Sequence, residues 1–200
     1  MAICPPDGEP SPVIPSYTLE PAGRWLEQVT HCFSPFQGPR PDARDISLLV
    51  IHNITLPPGL FGAPYIQQLF LGCVQADFAP LCEVQGLQVS AHLLIRRDGS
   101  VVQFVPFDRR AWHAGVSEFD GRPACNDYSI GIELEGTDHT PYNLVQYQAL
   151  VSVTRALLRQ YPLLTKDRIT GHSDIAPGRK TDPGPAFDWS LFHALLDKDS

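Results

Sequence analysis

The 200-residue sequence contains no apolar segment that approaches the roughly 20 residues needed for a membrane-spanning helix. Its N-terminus has neither the basic n-region nor the apolar h-region of a secretory signal. Taken as it stands, the sequence predicts a cytoplasmic protein.

Positive charge is also scarce, with 15 Lys and Arg against 22 Asp and Glu and a formal net charge of −7. We therefore expect neither nucleic acid nor a membrane as a partner, because such a surface must neutralise phosphates. Charged residues make up only 18% of the chain and hydrophobic residues 43%, which excludes wholesale disorder and permits a packed core.

The five cysteines are odd in number and form no CxxC pair. We expect free thiols rather than a Cys73–Cys82 disulfide, since a reducing compartment disfavours disulfides. Proline and glycine, by contrast, are abundant at 20 and 15 residues, which predicts well-defined loops between short elements. Residues 1–45 form a proline-rich N-terminal extension, within which residues 22–30 are predicted to form one short amphipathic helix.

Residues 46–200 are predicted to form a single domain in which strand and helix patterns are mixed. A hairpin turn is expected at residues 97–100. The fold class predicted is α/β (α+β), with a central mixed β-sheet flanked by helices. The predicted strands cover residues 46–52, 89–95, 101–105, 129–135 and 168–171, and the predicted helices cover residues 64–72, 141–160 and 189–196.

Two of the seven histidines lie where a predicted strand ends. His52 ends a buried strand, and His172 follows the last one, which are positions where rigid strands present side chains to a site. Two imidazoles and one carboxylate would form a three-ligand zinc site with an open position for water. Spacing alone leaves Asp174 and Asp182 as alternatives for the third ligand.

Several segments, in the same order along the chain, resemble the zinc N-acetylmuramoyl-L-alanine amidases. The likeness is greatest to the cytosolic AmpD-type branch, which acts on 1,6-anhydro-N-acetylmuramyl-L-alanine, and it extends over roughly residues 47–189. The implied fold is that shared by these amidases and the peptidoglycan recognition proteins. The segments are residues 49–55 (LVIHNIT), 89–92 (VSAH), 110–115 (RAWHAG), 126–136 (NDYSIGIELEG) and 171–185.

The resemblance implies a metal site with one Zn²⁺ per chain. His52, His172 and Asp182 match the family's zinc ligands, which leaves Asp174 in a loop role. His92 and His113 match family motif residues with structural or peripheral roles, outside the metal's ligand set.

The resemblance also implies two catalytic residues. Glu133 matches the acid that handles protons for the attacking water, and Lys180 matches the cation that faces the developing oxyanion. Glu135 shares a strand face with Glu133, because side chains alternate along a strand, and it is therefore the alternative carboxylate for that role.

Four further residues are expected to contact the substrate. Asn53, Tyr65 and Trp112 fall where the family's pocket walls are expected. Arg122 is the one residue of its loop able to hold a peptide carboxylate.

The implied activity is zinc-dependent hydrolysis of the amide between the lactyl group of (1,6-anhydro-)N-acetylmuramic acid and L-alanine, in cytosolic peptidoglycan recycling. The substrate would be a small soluble muropeptide, and a monomer is favoured. Two alternatives are an amidase that acts on polymeric peptidoglycan and a peptidoglycan-binding module without catalysis.

Overall fold

The protein is described here by a computed structural model that covers residues 15–75 and 79–198. The strands are β1 (Thr30–His31), β2 (Gln37–Pro39), β3 (Leu48–Ile54), β4 (Leu93–Ile95), β5 (Val101–Gln103), β6 (Arg109–Ala111), β7 (Glu118–Phe119), β8 (Arg122–Pro123), β9 (Ser129–Glu135) and β10 (Ile169–Gly171). The helices are α1 (Tyr65–Leu71), α2 (Ala79–Cys82), α3 (Leu144–Gln160), α4 (His172–Ile175) and α5 (Trp189–Asp197).

The central sheet has six strands in the order β1-β5-β4-β9-β3-β10. Strands β4, β9, β3 and β10 are parallel, and β5 runs antiparallel to β4 after the predicted turn at residues 97–100. The predicted mixed sheet is thus confirmed. Because parallel strands end at one edge, the carboxyl ends of β3, β9 and β10 meet there, at the type of edge where open sheets bind ligands.

The two faces of this sheet differ in chemistry, as the alternation in β9 shows. Its apolar side chains Ile130, Ile132 and Leu134 belong to the main core, together with residues of α3 and α5. Its opposite face carries Ser129, Gly131, Glu133 and Glu135, all with low exposure. Helices α3 and α5 therefore cover one face, while α1 packs against Leu94 on the other face and leaves its polar part for a site.

Helix starts follow local capping. Helix α3 begins at Leu144, three residues later than the sequence prediction, because Asn143 N–H donates to Gln146 Oε1 at 3.1 Å. Helix α5 begins after Asp188, whose carboxylate accepts from Leu191 N–H at 2.9 Å. Both helices otherwise match their predicted bounds closely.

The predicted helix over residues 22–30 is wrong. Leu26 forms a β-bridge with Leu19, is fully buried, and donates its N–H to Gln103 Oε1 at 2.8 Å. Strand β1 then pairs with β5 at the edge of the sheet. A short helix is marginal by itself, and contacts with β5 outweigh its local propensity. Part of the predicted extension therefore packs on the central sheet, while residues 1–14 lie outside the described residues.

Two smaller expectations concern the last loop and the cysteines. Residues 172–185, which follow the last strand, begin with the single turn of α4. Cys73 is a free thiol, which excludes the Cys73–Cys82 disulfide, and Cys32 and Cys125 are free thiols too. Among the described helices, none has the length and apolar character to span a bilayer.

Candidate active site

Three side chains from distant parts of the chain meet at the carboxyl edge of the sheet. His52 comes from β3, His172 from the start of α4 just after β10, and Asp182 from the following loop. His52 Nδ1, His172 Nδ1 and Asp182 Oδ2 form a triangle in which each side measures 3.0 Å. Among the described residues these three form a cluster that could hold a metal ion.

Asp174, the alternative third ligand, lies elsewhere. Its Oδ2 accepts from Gly171 N–H at 2.9 Å and from Thr170 Oγ1 at 3.0 Å, and the residue is exposed. It therefore caps the turn that carries His172, and it takes no part in the cluster.

The electrostatics of the triangle favour a neutral His52 imidazole beside an ionised Asp182 carboxylate. Burial lowers the pKa of His52 to about 4, although Asp182 opposes that shift. Burial raises the pKa of Asp182, but the adjacent rings of His172 and His52 outweigh it and hold this pKa well below its usual range. Neutral imidazole and carboxylate are the protonation states that bind a metal.

The donor set fits zinc. Two imidazole nitrogens and one carboxylate oxygen are typical of catalytic zinc sites, which keep a fourth position open. Bonds of about 2.0 Å place tetrahedral ligand atoms about 3.3 Å apart, so the observed 3.0 Å edges need little adjustment.

Glu133 lies next to this triangle. The register of the parallel strands pairs it with His52, on the same face of the sheet. Its Oε2 is buried and has no hydrogen-bond partner among the described residues. Burial, and secondarily the charge of Asp182, raises the pKa of Glu133 well above its ordinary value, while Lys180 opposes the shift. Such a carboxyl can act in proton transfer.

Glu135, the alternative to Glu133, already accepts hydrogen bonds from other parts of the protein. Its oxygens accept from Gly62 N–H at 2.6 Å and from Arg97 N–H at 3.0 Å, and Arg96 Nη1 lies 3.6 Å away. It is 1% exposed and does not line the cleft described next. We assign it a structural role.

A cleft of about 280 Å³ opens over the triangle. The three clustered residues, Glu133 and Lys180 line its polar side. Lys180 is exposed, so its ammonium group can move within the cleft. The remaining wall is largely apolar and includes Ile54, Phe70, Leu87, Val89 and Trp112.

Two of the four predicted substrate contacts line this cleft. Trp112 stacks on Phe36 with 6.1 Å between ring centroids. Asn53 donates from Nδ2 to Asp138 Oδ1 at 2.8 Å and to Pro183 O at 3.1 Å. Because Pro183 directly follows Asp182, Asn53 also holds the loop of the third clustered residue in place.

The other two residues predicted to contact the substrate do not line this cleft. Arg122 forms a 2.7 Å ion pair with Asp45, lies over the Tyr128 ring and does not line the cleft. Tyr65 packs at the edge of the apolar cluster around α1, also away from the cleft. Both residue types are suited to a pocket, but here each side chain contacts residues that are distant in sequence.

Sequence reasoning also missed contacts around the two clustered histidines. His113 Nδ1 lies 2.9 Å from His52 Nε2, and His113 Nε2 lies 3.1 Å from Ser129 Oγ. His92 instead joins backbone groups, accepting from Gly131 N–H and contacting Arg109 O, both at 3.0 Å. The one available signal was the alternation in β9, which places Ser129 and Gly131 on the face of Glu133.

Comparison with known proteins agrees with this geometry. The family model described as N-acetylmuramoyl-L-alanine amidase matches residues 42–185. The 1,6-anhydro-N-acetylmuramyl-L-alanine amidase AmpD of Enterobacter cloacae is 59% identical over 177 residues, which cover 88% of this chain and 94% of that protein.

Two solved structures extend the comparison. The crystal structure of a selenomethionine AmpD derivative has a TM-score of 0.85 and 54% identity, and the match covers 89% of this chain and 98% of that chain. The Escherichia coli amidase AmiD, in complex with anhydro-N-acetylmuramic acid-L-Ala-D-γ-Glu-L-Lys, has a TM-score of 0.56 and 27% identity, covering 88% of this chain and 64% of that chain. The chain therefore belongs to the N-acetylmuramoyl-L-alanine amidase family.

Proposed function

We propose that this protein hydrolyses the amide between the lactyl group of 1,6-anhydro-N-acetylmuramic acid and L-alanine in soluble muropeptides. The observation that carries the proposal is the 3.0 Å triangle of two imidazole nitrogens and one carboxylate oxygen, next to the buried Glu133, whose Oε2 has no hydrogen-bond partner in the described part of the chain. The substrate class is supported by the relative from E. cloacae, whose name specifies this amide.

In this proposal one Zn²⁺ is held by His52, His172 and Asp182. When bound, zinc supplies Lewis-acid polarisation of the amide carbonyl and makes water more acidic. The rest of the chemistry belongs to the protein's own side chains.

Glu133 is the proton carrier of the proposed reaction. In its ionised form the buried carboxylate accepts a proton from the attacking water, and it then delivers that proton to the amine of L-alanine as the amide bond breaks. Because no donor among the described residues occupies Oε2, this oxygen is available to the water and then to the leaving group.

Lys180 provides positive charge on the same side of the cleft. Negative charge develops on the carbonyl oxygen during attack, and a cation placed there stabilises it more than it stabilises the substrate. The apolar wall with Trp112 is suited to the sugar ring and its lactyl methyl group.

We further propose that the reaction takes place in the cytoplasm, as part of peptidoglycan recycling. The free thiols of Cys32, Cys73 and Cys125 are consistent with a reducing compartment. A small soluble muropeptide is the form of substrate that such a compartment would offer.

The test is incubation of the zinc-loaded protein with anhydromuramyl tripeptide and with intact sacculi, followed by mass spectrometry of the released peptide. Release from the soluble substrate supports the proposal. Faster release from sacculi would favour the polymeric substrate. Binding without release, in protein that retains little zinc, would favour a binding module.

A further inference from the structure

Both clustered histidines are contacted, at their outer ring nitrogens, by the same two consecutive residues. His52 Nε2 lies 2.9 Å from the ring of His113, and His172 Nε2 lies 3.1 Å from the carbonyl oxygen of Ala114. We call residues 113–114 the strap. One side chain and one carbonyl of the strap thus meet the side of each imidazole that faces away from the triangle.

The contact with Ala114 determines the tautomer of His172. A carbonyl oxygen only accepts hydrogen bonds, so we assign the hydrogen of His172 to Nε2, since Arg179 Nη2, the other polar neighbour of this nitrogen, is farther away at 3.5 Å. In the neutral ring Nδ1 then has a free lone pair, and Nδ1 is the atom in the triangle. Arg179 also donates to Ala114 O, at 2.6 Å, and to Val116 O, which holds the carbonyl in place.

The contact with His113 can do the same for His52. If His52 Nε2–H donates to His113 Nδ1, then His113 carries its hydrogen on Nε2 and donates to Ser129 Oγ at 3.1 Å. Each donor in this series of hydrogen bonds then has an acceptor. His52 Nδ1 is left as a lone pair directed into the triangle, as it must be to bind a metal.

Two other residues position the strap. Asn126 Oδ1 accepts from His113 N–H at 3.1 Å and from Ala114 N–H at 2.8 Å, so one amide oxygen holds both strap residues. Gly131 on β9 leaves space for the imidazole, because a Cβ there would lie 2.5 Å from the His113 ring. The strap is therefore held from its backbone and from the face of the sheet.

We propose that the strap sets the tautomer of both metal-binding imidazoles, with His113 and Asn126 as positioning residues that raise the affinity of the site for zinc. This inference rests on the proposed metal site, and it adds why both Nδ1 atoms are directed at one point. Partners of this kind are worth 10- to 100-fold in metal affinity in other proteins.

The first test compares His113→Leu with His113→Asn by zinc titration of the metal-free proteins. Leu and Asn have nearly the same shape, but only Asn keeps an acceptor close to the position of Nδ1. We expect H113L to weaken the zinc Kd by about 10- to 100-fold and H113N to recover most of that loss. Equal Kd values for the wild type and H113L would overturn the inference.

The second test compares Asn126→Ala with Asn126→Asp, because Asp retains an oxygen that can accept from both strap N–H groups. We expect N126A to weaken zinc binding and N126D to restore it. In metal-free protein, long-range ¹H–¹⁵N spectra should show His172 as the Nε2–H tautomer in the wild type and as a tautomer mixture in N126A. A change in thermal stability alone, with tautomer and Kd unchanged, would count against the inference.

The exposed His139→Gln serves as the matched control, and it should bind zinc like the wild type. Wild-type protein that binds no zinc would overturn the metal site, and the inference with it. Wild-type protein that binds zinc, with H113L and N126A unaffected, would overturn the inference alone. If N126A does not fold, the H113L and H113N pair decides.

Discussion

Two carboxyl groups that lie two residues apart on one face of β9 have opposite surroundings. Glu135 is bonded to two backbone N–H groups and lies near Arg96, whereas Glu133 Oε2 has no partner among the described residues. Glu135 thus has a structural role, whereas the carboxyl group of Glu133, on the same strand, is available for chemistry. The difference lies in the loops above the strand, since residues 62 and 97 reach Glu135 and the open cleft lies over Glu133.

The largest expected effect concerns the carboxylate that completes the polar cluster beside Glu133. Asp182→Ala leaves only two protein ligands, so we expect purified protein to retain almost no zinc and to lose activity. Metal analysis by mass spectrometry checks this. Asp174→Ala is the control and should keep full occupancy, because Asp174 only caps a turn. Full occupancy in D182A would refute the ligand assignment.

Next in size is the effect of removing the proposed proton carrier. Glu133→Gln should retain zinc and the native fold but reduce kcat by about 10²- to 10⁴-fold, the range for general acid–base catalysis. Steady-state kinetics on anhydromuramyl peptide, with metal content measured on the same sample, tests it. Near-wild-type turnover would transfer the role to another group.

The reciprocal change sharpens the comparison. Glu135→Gln replaces one acceptor oxygen with an NH₂ group, which leaves the N–H of Gly62 or Arg97 without its acceptor. We expect a loss of about 1–3 kcal/mol in the free energy of unfolding, with kcat per folded molecule nearly unchanged. Urea unfolding and kinetics together measure both quantities. A large loss of kcat at unchanged stability would erase the distinction between the two carboxyls.

The smallest expected effect is a pH dependence. Burial raises the pKa of Glu133 in the folded protein, so above pH 4.5 the unfolded chain ionises while the folded protein keeps its proton. The contribution of Glu133 to the free energy of unfolding is therefore fully present below pH 4.5. It is lost as the pH rises toward the pKa in the folded protein, by at most about 1.4 kcal/mol per pH unit.

Metal-free wild type should accordingly lose stability relative to E133Q as pH increases, in urea unfolding measured at several pH values. E135Q is the matched comparison for the same strand face. A difference between wild type and E133Q that stays constant with pH would show that Glu133 is already ionised in the folded protein.

Local sequence patterns were sufficient for most of the fold. The apolar run before His52, the alternation in β9 and the helical spacing in α3 each indicate which side chains are buried. These patterns involve only residues that are close together in sequence. They failed at residues 22–30, where Leu26 bonds to Gln103, 77 positions away. The contacts that Arg122 and Tyr65 make could not be predicted for the same reason, since their partners come from other parts of the chain.

By itself, the sequence determined which residue types end the strands and which faces of the strands are polar. Side chains alternate between the two faces of a strand, so the positions of the apolar residues show which face is buried. Family resemblance then singled out His52, His172 and Asp182. Only the tertiary structure decided that both oxygens of Glu135 are hydrogen-bonded while Glu133 Oε2 has no partner among the described residues, and that one strap contacts both histidines. Hydrogen bonding and burial depend on distances between segments that are far apart in sequence, and only the folded chain sets those distances.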